Sequence, residues 1–242
     1  PSEKGRLLEF QVPKDARTGE HRGTLLIGGK EVPFFVHVWN FTLPDRLSFI
    51  VQMNGYGMMD KERPWFRLGH EHRLTLNVLT YGWNGRVTAA PKVGKDGSFD
   101  WMDWDARFGP LLDGSAFADL PRGQVPTEAI YLPLNENWPM DHEKHFRGGY
   151  WIENAYGPEY WKEFRAAAAG FAAHFAERGW HETMFEFYLN NKVYFKNGDK
   201  RRPPSWKRCT APWIFDEPQH TQDFWAIRRF GQEFWQAVAP YD

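Results

Sequence analysis

The residues best suited to chemistry are two adjacent carboxylates in the stretch Ile214-Phe215-Asp216-Glu217-Pro218-Gln219-His220-Thr221. Like charges side by side in a partly dry cleft push their pKa values apart, so one acid holds a proton while its neighbour stays ionised. That division suits acid–base cleavage of an acetal, where a poor leaving group needs a proton while positive charge grows on the adjoining carbon. Pro218 biases Glu217 toward an extended backbone, so the two side chains diverge. One acid can then lie deep and the other beside a leaving group. The competing role is structural, because an acid before proline at a helix start caps free N–H groups and complements the helix dipole. The tripeptide alone leaves the two roles balanced, and placement after a strand tips the reading toward catalysis.

Other candidates cluster after predicted strands. Asn135-Glu136-Asn137-Trp138 is one such group. If Glu136 is the acid, a second carboxylate about 5 Å away must be the nucleophile, and Glu217 or a residue elsewhere fills that role. Otherwise these residues bind substrate hydroxyls or satisfy loop backbone; substrate binding is the favoured reading for Asn135 and Glu136. Asn54, Tyr56, Trp83, Asn84, Trp138, Tyr188 and Asn190 also fall at strand ends and are candidates for sugar contact, with loop packing as the alternative for each. Thirteen Trp, nine Tyr and twenty Phe make the chain 17% aromatic, and several rings sit beside Gly, Asn or Pro. Ring faces next to amides and carboxylates suit a pyranose; a core rich in large rings is the other explanation.

Metal and cofactor chemistry find little support. His70-x-His72 and His142-x-x-His145 lack the matching Cys or His cluster of a zinc site. Asp100, Asp103 and Asp105 lack the Gly and terminal Glu of a calcium loop. No Gly-x-Ser-x-Gly elbow or phosphate loop occurs, and no cofactor is expected.

The elements that must position these residues fall into two regions. Residues 1–44 read as the C-terminal part of a β-sandwich, with strands at Leu8–Val12, Thr24–Ile27 and Val32–Trp39 and a hairpin turn at Gly28-Gly29. From residue 45 the rhythm becomes alternating strands and helices. Strands are predicted at Ser48–Met53, the first of them buried, then at Leu74–Leu79, Ala129–Leu134 and Met184–Leu189. Helices are predicted at Arg63–His72, Trp104–Leu112 and from Pro158 to Gly179, where Trp161, Phe164, Ala168, Phe171 and Phe175 recur at helical spacing. A last helix near 221–238 is expected to bury Phe224, Ile227, Phe230, Phe234 and Val238. The basic segment 190–212 is long enough to read as a functional loop or lid.

Alternation of this kind implies a parallel α/β sheet, and polar or aromatic strand ends fit a (β/α)8 TIM-type barrel. Residues 45–242 supply about half of one, four units where a full barrel takes about 250 residues. The remaining half is expected from further polypeptide or another chain, since a half barrel leaves open strand edges. The sequence begins Pro1-Ser2-Glu3 without an initiator Met, which fits a processed protein or a fragment. A formal net charge of -1 gives no reason to expect nucleic acid as a partner, and no apolar run reaches membrane-spanning length. With Cys209 alone, no intrachain disulfide forms.

Val12-Pro13-Lys14-Asp15-Ala16, Gly19-Glu20-His21-Arg22-Gly23-Thr24 and Val38-Trp39-Asn40-Phe41-Thr42-Leu43-Pro44 resemble the sandwich-to-barrel junction of glycoside hydrolase family 123 and its uncharacterised relatives. Ala176-Glu177-Arg178-Gly179-Trp180, followed by Asp216-Glu217-Pro218 and Asp223-Phe224, is similar to that family's active-site region. The resemblance implies an exo-acting β-N-acetylgalactosaminidase-type reaction, in which the substrate's own 2-acetamido group attacks the anomeric carbon. It implies that Asp216 orients that group and that Glu217 protonates the leaving oxygen and later activates water. The carbohydrate is then the expected partner, and a secreted or envelope location follows by analogy. The sequence departs from the family pattern in the long insert 190–212. A retaining glycosidase using Glu136, and a carbohydrate-binding barrel without catalysis, are the alternative expectations.

Overall fold

The computed structural model describes residues 8–55, 62–80, 87, 89–189, 212–215 and 217–241. The chain divides into two compact units, Pro1–Asp45 and Arg46–Asp242. In the first, β1 (Gly19–Ile27) and β2 (Lys30–Val38) form an antiparallel hairpin. Gly28 and Gly29 both take positive φ, 58° and 80°, as a two-residue turn matched to strand twist requires. Leu25, Ile27, Phe34, Val36 and Val38 line a half-buried face. The strand expected at Leu8–Val12 does not form. Its alternating residues find no ladder, and Phe10 instead packs its ring on Phe34 at 4.9 Å.

The second unit alternates strand and helix. Its elements are β3 (Gln52–Gly55), α1 (Glu62–Glu71), β4 (Thr75–Val78), a short hairpin of β5 (Lys92–Val93) and β6 (Phe99–Asp100), and α2 (Met102–Leu112). Then come β7 (Ala129–Leu132), the single turns α3 (His142–His145) and α4 (Ile152–Ala155), α5 (Pro158–Arg178), β8 (Met184–Phe187) and α6 (Thr221–Val238). β3 pairs parallel with β4, and β7 with β8. β4 lies beside β7, joined by Asn77 Oδ1 accepting from Tyr131 N at 2.8 Å and Thr80 Oγ1 donating to Leu132 O at 3.0 Å. The two parallel pairs are separate ladders, and these side-chain bonds set them side by side in the order β3-β4-β7-β8.

This sheet curls. In a flat sheet the first and fourth strands stand about 14 Å apart. Here Gln52 on β3 nevertheless donates to Glu186 on β8 at 3.1 Å. Arg46, ahead of β3, likewise reaches Glu182, ahead of β8, with guanidinium contacts of 2.7 and 2.9 Å. No closed barrel forms among the described residues.

Side-chain alternation gives the sheet two unlike faces. Leu76, Val78, Ile130 and Leu132 join the hydrophobic core, with Phe185 and Phe187 packed against it. Gln52, Asn54, Thr75, Asn77, Tyr131 and Glu186 occupy the other, concave face. The core continues between the helices as an aromatic network. α5 contributes Tyr160, Trp161, Phe164, Phe171 and Phe175, and Pro158 at its start with left-handed Gly179 at its end bounds the helix.

Two expectations about burial are corrected. Phe49 and Val51 precede β3 and are exposed, as is Met53 within it, because β3 has only one strand neighbour among the described residues. On α6, Phe230 is buried, but Phe224 is 58% exposed. Ile227, Phe234 and Val238 are half-buried and pack against the core as expected, beside a buried stripe of Asp223, Ala226, Phe230, Glu233 and Ala237.

Candidate functional site

The acidic pair meets its structural alternative first. α6 begins at Thr221, and its cap is a reciprocal box made by His220 and Asp223. Asp223 is fully buried and accepts from Ile214 N at 3.2 Å, Gln219 N at 3.0 Å and His220 N at 2.9 Å. Tyr150 adds its hydroxyl at 3.3 Å, and burial, then the Asp223 charge, raises the pKa of that phenol. Helix capping is therefore done by Asp223, and Glu217 stands outside it with an exposed side chain. Asp216, Tyr56, Trp83, Asn84, Asn190 and the basic segment up to residue 211 lie outside the described residues.

The group after β7 is largely absorbed into the scaffold. Asn135 N and O bond Trp138 O and N at 3.1 and 3.3 Å, closing a tight turn. The Asn135 side chain donates to Pro133 O at 3.3 Å and accepts from Asn137 N at 2.7 Å. Glu136 is 1% exposed; its carboxylate accepts from Asn137 Nδ2 at 3.2 Å and its carbonyl from Tyr160 Oη at 2.9 Å. Tyr156 and Tyr160 stack at 3.8 Å, and His142 Nδ1 lies 2.6 Å from Tyr156 Oη. Burial drives both phenols well above their ordinary pKa, and the Glu136 charge adds to it. Trp138 stacks on Phe99 at 5.6 Å and meets Phe171 edge-on at 6.1 Å.

Many of the rings are likewise used inside. Trp101, Trp104, Phe108, Phe171, Phe175 and Trp180 form one packed set, and Tyr156, Tyr160, Trp161, Phe164, Trp213 and Phe230 another. The aromatic richness of these segments is core chemistry. One histidine of each pair, His70 and His142, is engaged in the packing. His70 stacks on Phe117 at 4.1 Å, and its Nε2 donates to Val125 O at 3.1 Å. Among the described residues no group of three metal-ligating side chains exists.

What the structure brings together is the concave face. Asn54 lies level with Asn77 across β3 and β4, and Tyr131 level with Glu186 across β7 and β8. Asn77 Nδ2 donates to Gln52 Oε1 at 3.1 Å, and Gln52 Nε2 donates to Glu186 Oε1. Tyr188, two residues beyond Glu186, places its ring 5.7 Å from that of Tyr131. Of the sequence candidates, Asn54 and Tyr188 thus share this face, toward the C-terminal ends of the strands. Gln52, Asn77, Tyr131 and Glu186 were not anticipated there. Their signal was polar or phenolic residues at alternate positions within otherwise apolar strand segments, in FIVQMN, LTLNVL and MFEFYL, with a single Tyr in AIYLPL. Among the described residues, Glu217 is exposed and no hydrogen bond joins it to Asn54, Glu136, Trp138 or Tyr188. No family model, curated protein or solved structure matches this chain.

Proposed function

We propose that the protein is a glycoside hydrolase acting on terminal 2-acetamido sugars, with Asp216 and Glu217 as its acidic pair and the concave sheet face as the floor of its sugar site. The observation that carries this reading is the face itself. Parallel sheets ordinarily bury apolar residues on both sides, whereas here two amides, a further amide at Asn54, a carboxylate and two phenols point the same way. Neutral amides and a single acid match the hydroxyl rim of a pyranose, and a phenol ring matches its apolar face. The release of Glu217 from capping duty supports the catalytic assignment of the pair.

The same reading takes residues 45–242 as the first half of a (β/α)8 barrel following the end of a β-sandwich, completed by further polypeptide or another chain. Exposed Phe49, Val51 and Met53 at the outer strand, Trp65 and Leu68 on α1, and Phe224 and Trp235 on α6 support it, since large apolar side chains on outer elements are what an unfinished layer displays.

The test is hydrolysis of aryl glycosides with and without a 2-acetamido group, by the protein and its Glu217→Gln form. The expected result is turnover confined to 2-acetamido substrates, inhibited by a thiazoline analogue. The variant should lose about 10²-fold or more on poor leaving groups and much less on good ones. A covalent sugar trapped on a carboxylate would replace the substrate-assisted mechanism with an ordinary retaining one. Sugar binding without turnover in either form would make the protein a binding module.

A further inference from the structure

We propose that Glu186 is a specificity-determining carboxylate in this site, accepting a hydroxyl of the bound sugar. The inference rests on the glycosidase reading above and adds a residue to it. Glu186 is oriented by a relay: Tyr131 N holds Asn77 Oδ1 at 2.8 Å, Asn77 Nδ2 holds Gln52 Oε1 at 3.1 Å, and Gln52 Nε2 holds Glu186 Oε1 at 3.1 Å. Asn77 is completely buried, so the relay has a fixed root. Its last member, Gln52, is exposed and displaceable.

The other oxygen, Glu186 Oε2, is shielded from water and has no hydrogen-bond partner among the described residues. A carboxylate oxygen left without a donor is costly, and native proteins rarely keep one without a use. Glu128, in the same sheet region, shows the ordinary solution: Arg122 pairs with one oxygen and Thr75 Oγ1 donates to the other at 3.0 Å. Oε2 is closed to water, so a donor arriving on the concave face takes Oε1, the oxygen that the exposed Gln52 amide holds and can give up.

The donor that fits is a neutral hydroxyl. Strand alternation sets Glu186 on this face beside amides, a hydroxyl and a phenol, groups that share hydrogen bonds with neutral hydroxyls. Gln52, Asn54, Tyr131 and Tyr188 surround it with groups that bond neighbouring hydroxyls and pack a ring.

The experiment compares the parent with Glu186→Gln, which keeps size and removes the charge. Each is assayed on the preferred aryl glycoside and on analogues lacking one hydroxyl at a time. The variant is expected to raise KM about tenfold or more, with kcat within about twofold. For one analogue, the penalty paid by the parent should vanish in the variant. Gln52→Leu, which leaves Glu186 without its orienting partner, is expected to raise KM severalfold. Thermal melting of each variant reports folding. An active parent whose Glu186→Gln form has an unchanged KM and the same penalties on every analogue would overturn the role of Glu186 and leave the glycosidase standing. A large loss of melting temperature in that variant would overturn it too, by making the residue structural. A parent that neither cleaves nor binds any sugar of the panel would overturn both readings.

Discussion

The two ends of the parallel sheet treat polar groups in opposite ways. At the N-terminal end, Arg122 and Glu128 form a buried ion pair, Thr75 completes the carboxylate, and Arg122 also donates to His70 O at 3.3 Å. Thr183 Oγ1 donates to Thr127 O at 2.7 Å, and Met184 N to Glu128 O at 2.8 Å. On the concave face nearer the C-terminal end, Asn54 is exposed and Glu186 keeps an oxygen without a hydrogen-bond donor among the described residues. One end is finished as scaffold, and the other is where the proposed site lies. On that proposal, stability and recognition are separated along a single set of strands, as barrel enzymes separate them.

The sharpest way to break that contrast is to mutate its scaffold side. Glu128→Ala removes the carboxylate partner of the buried Arg122 guanidinium, and a loss of about 3 to 5 kcal/mol in urea unfolding is expected. A loss below about 1 kcal/mol would mean that the pair is not part of the scaffold.

A smaller effect is expected from His70, which ends α1 at the same end of the sheet. Its pKa is lowered from 6.5 to about 4, chiefly by burial and then by the Arg122 charge. The neutral ring is the folded form, so its stabilising contribution is complete above pH 6.5 and is lost as pH falls toward 4. Unfolding free energy should drop by on the order of 2 kcal/mol over that interval, and His70→Gln should flatten that part of the profile. An unchanged profile in the variant would assign the acid sensitivity elsewhere.

The smallest effect belongs to the concave face. Asn54→Ala should change unfolding free energy by no more than about 0.5 kcal/mol, because the residue is exposed. If it weakens sugar binding while leaving stability alone, the division between the two ends is sharpened; a loss comparable to that of Glu128→Ala would erase it.

Much of this layout was legible in the sequence, and the exceptions have causes. The α5 stripe reads correctly because Trp161, Phe164, Ala168, Phe171 and Phe175, which define it, are apolar and buried. The α6 stripe misleads at Phe224 because two inward positions are Asp223 and Glu233, charged residues that are buried only through their partners. Asp223 gathers loop N–H groups, and Glu233 pairs with Arg165 and Arg229. Periodicity counts such residues as outward and so turned Phe224 inward. Ser48–Met53 read as buried for the opposite reason: Phe49, Ile50, Val51 and Met53 are apolar, but a strand with one neighbour among the described residues cannot hide them. The junction near residue 44 lies one residue from the boundary between the compact units. Asn54 and Tyr188 were findable from strand ends, whereas Glu186 required knowing which residues of different strands share a face.

The clamp made by Asp223 has a consequence for how the acidic loop can vary. One carboxylate grips the backbone at Ile214 and again at Gln219 and His220, so the segment between them is a cassette fastened at both hinges. Phe215 inside it is buried against Phe230 of α6, so exchange that spares the packing is confined to the residues after it. On the proposed reading, tips of equal length grafted there should be accepted by the same frame.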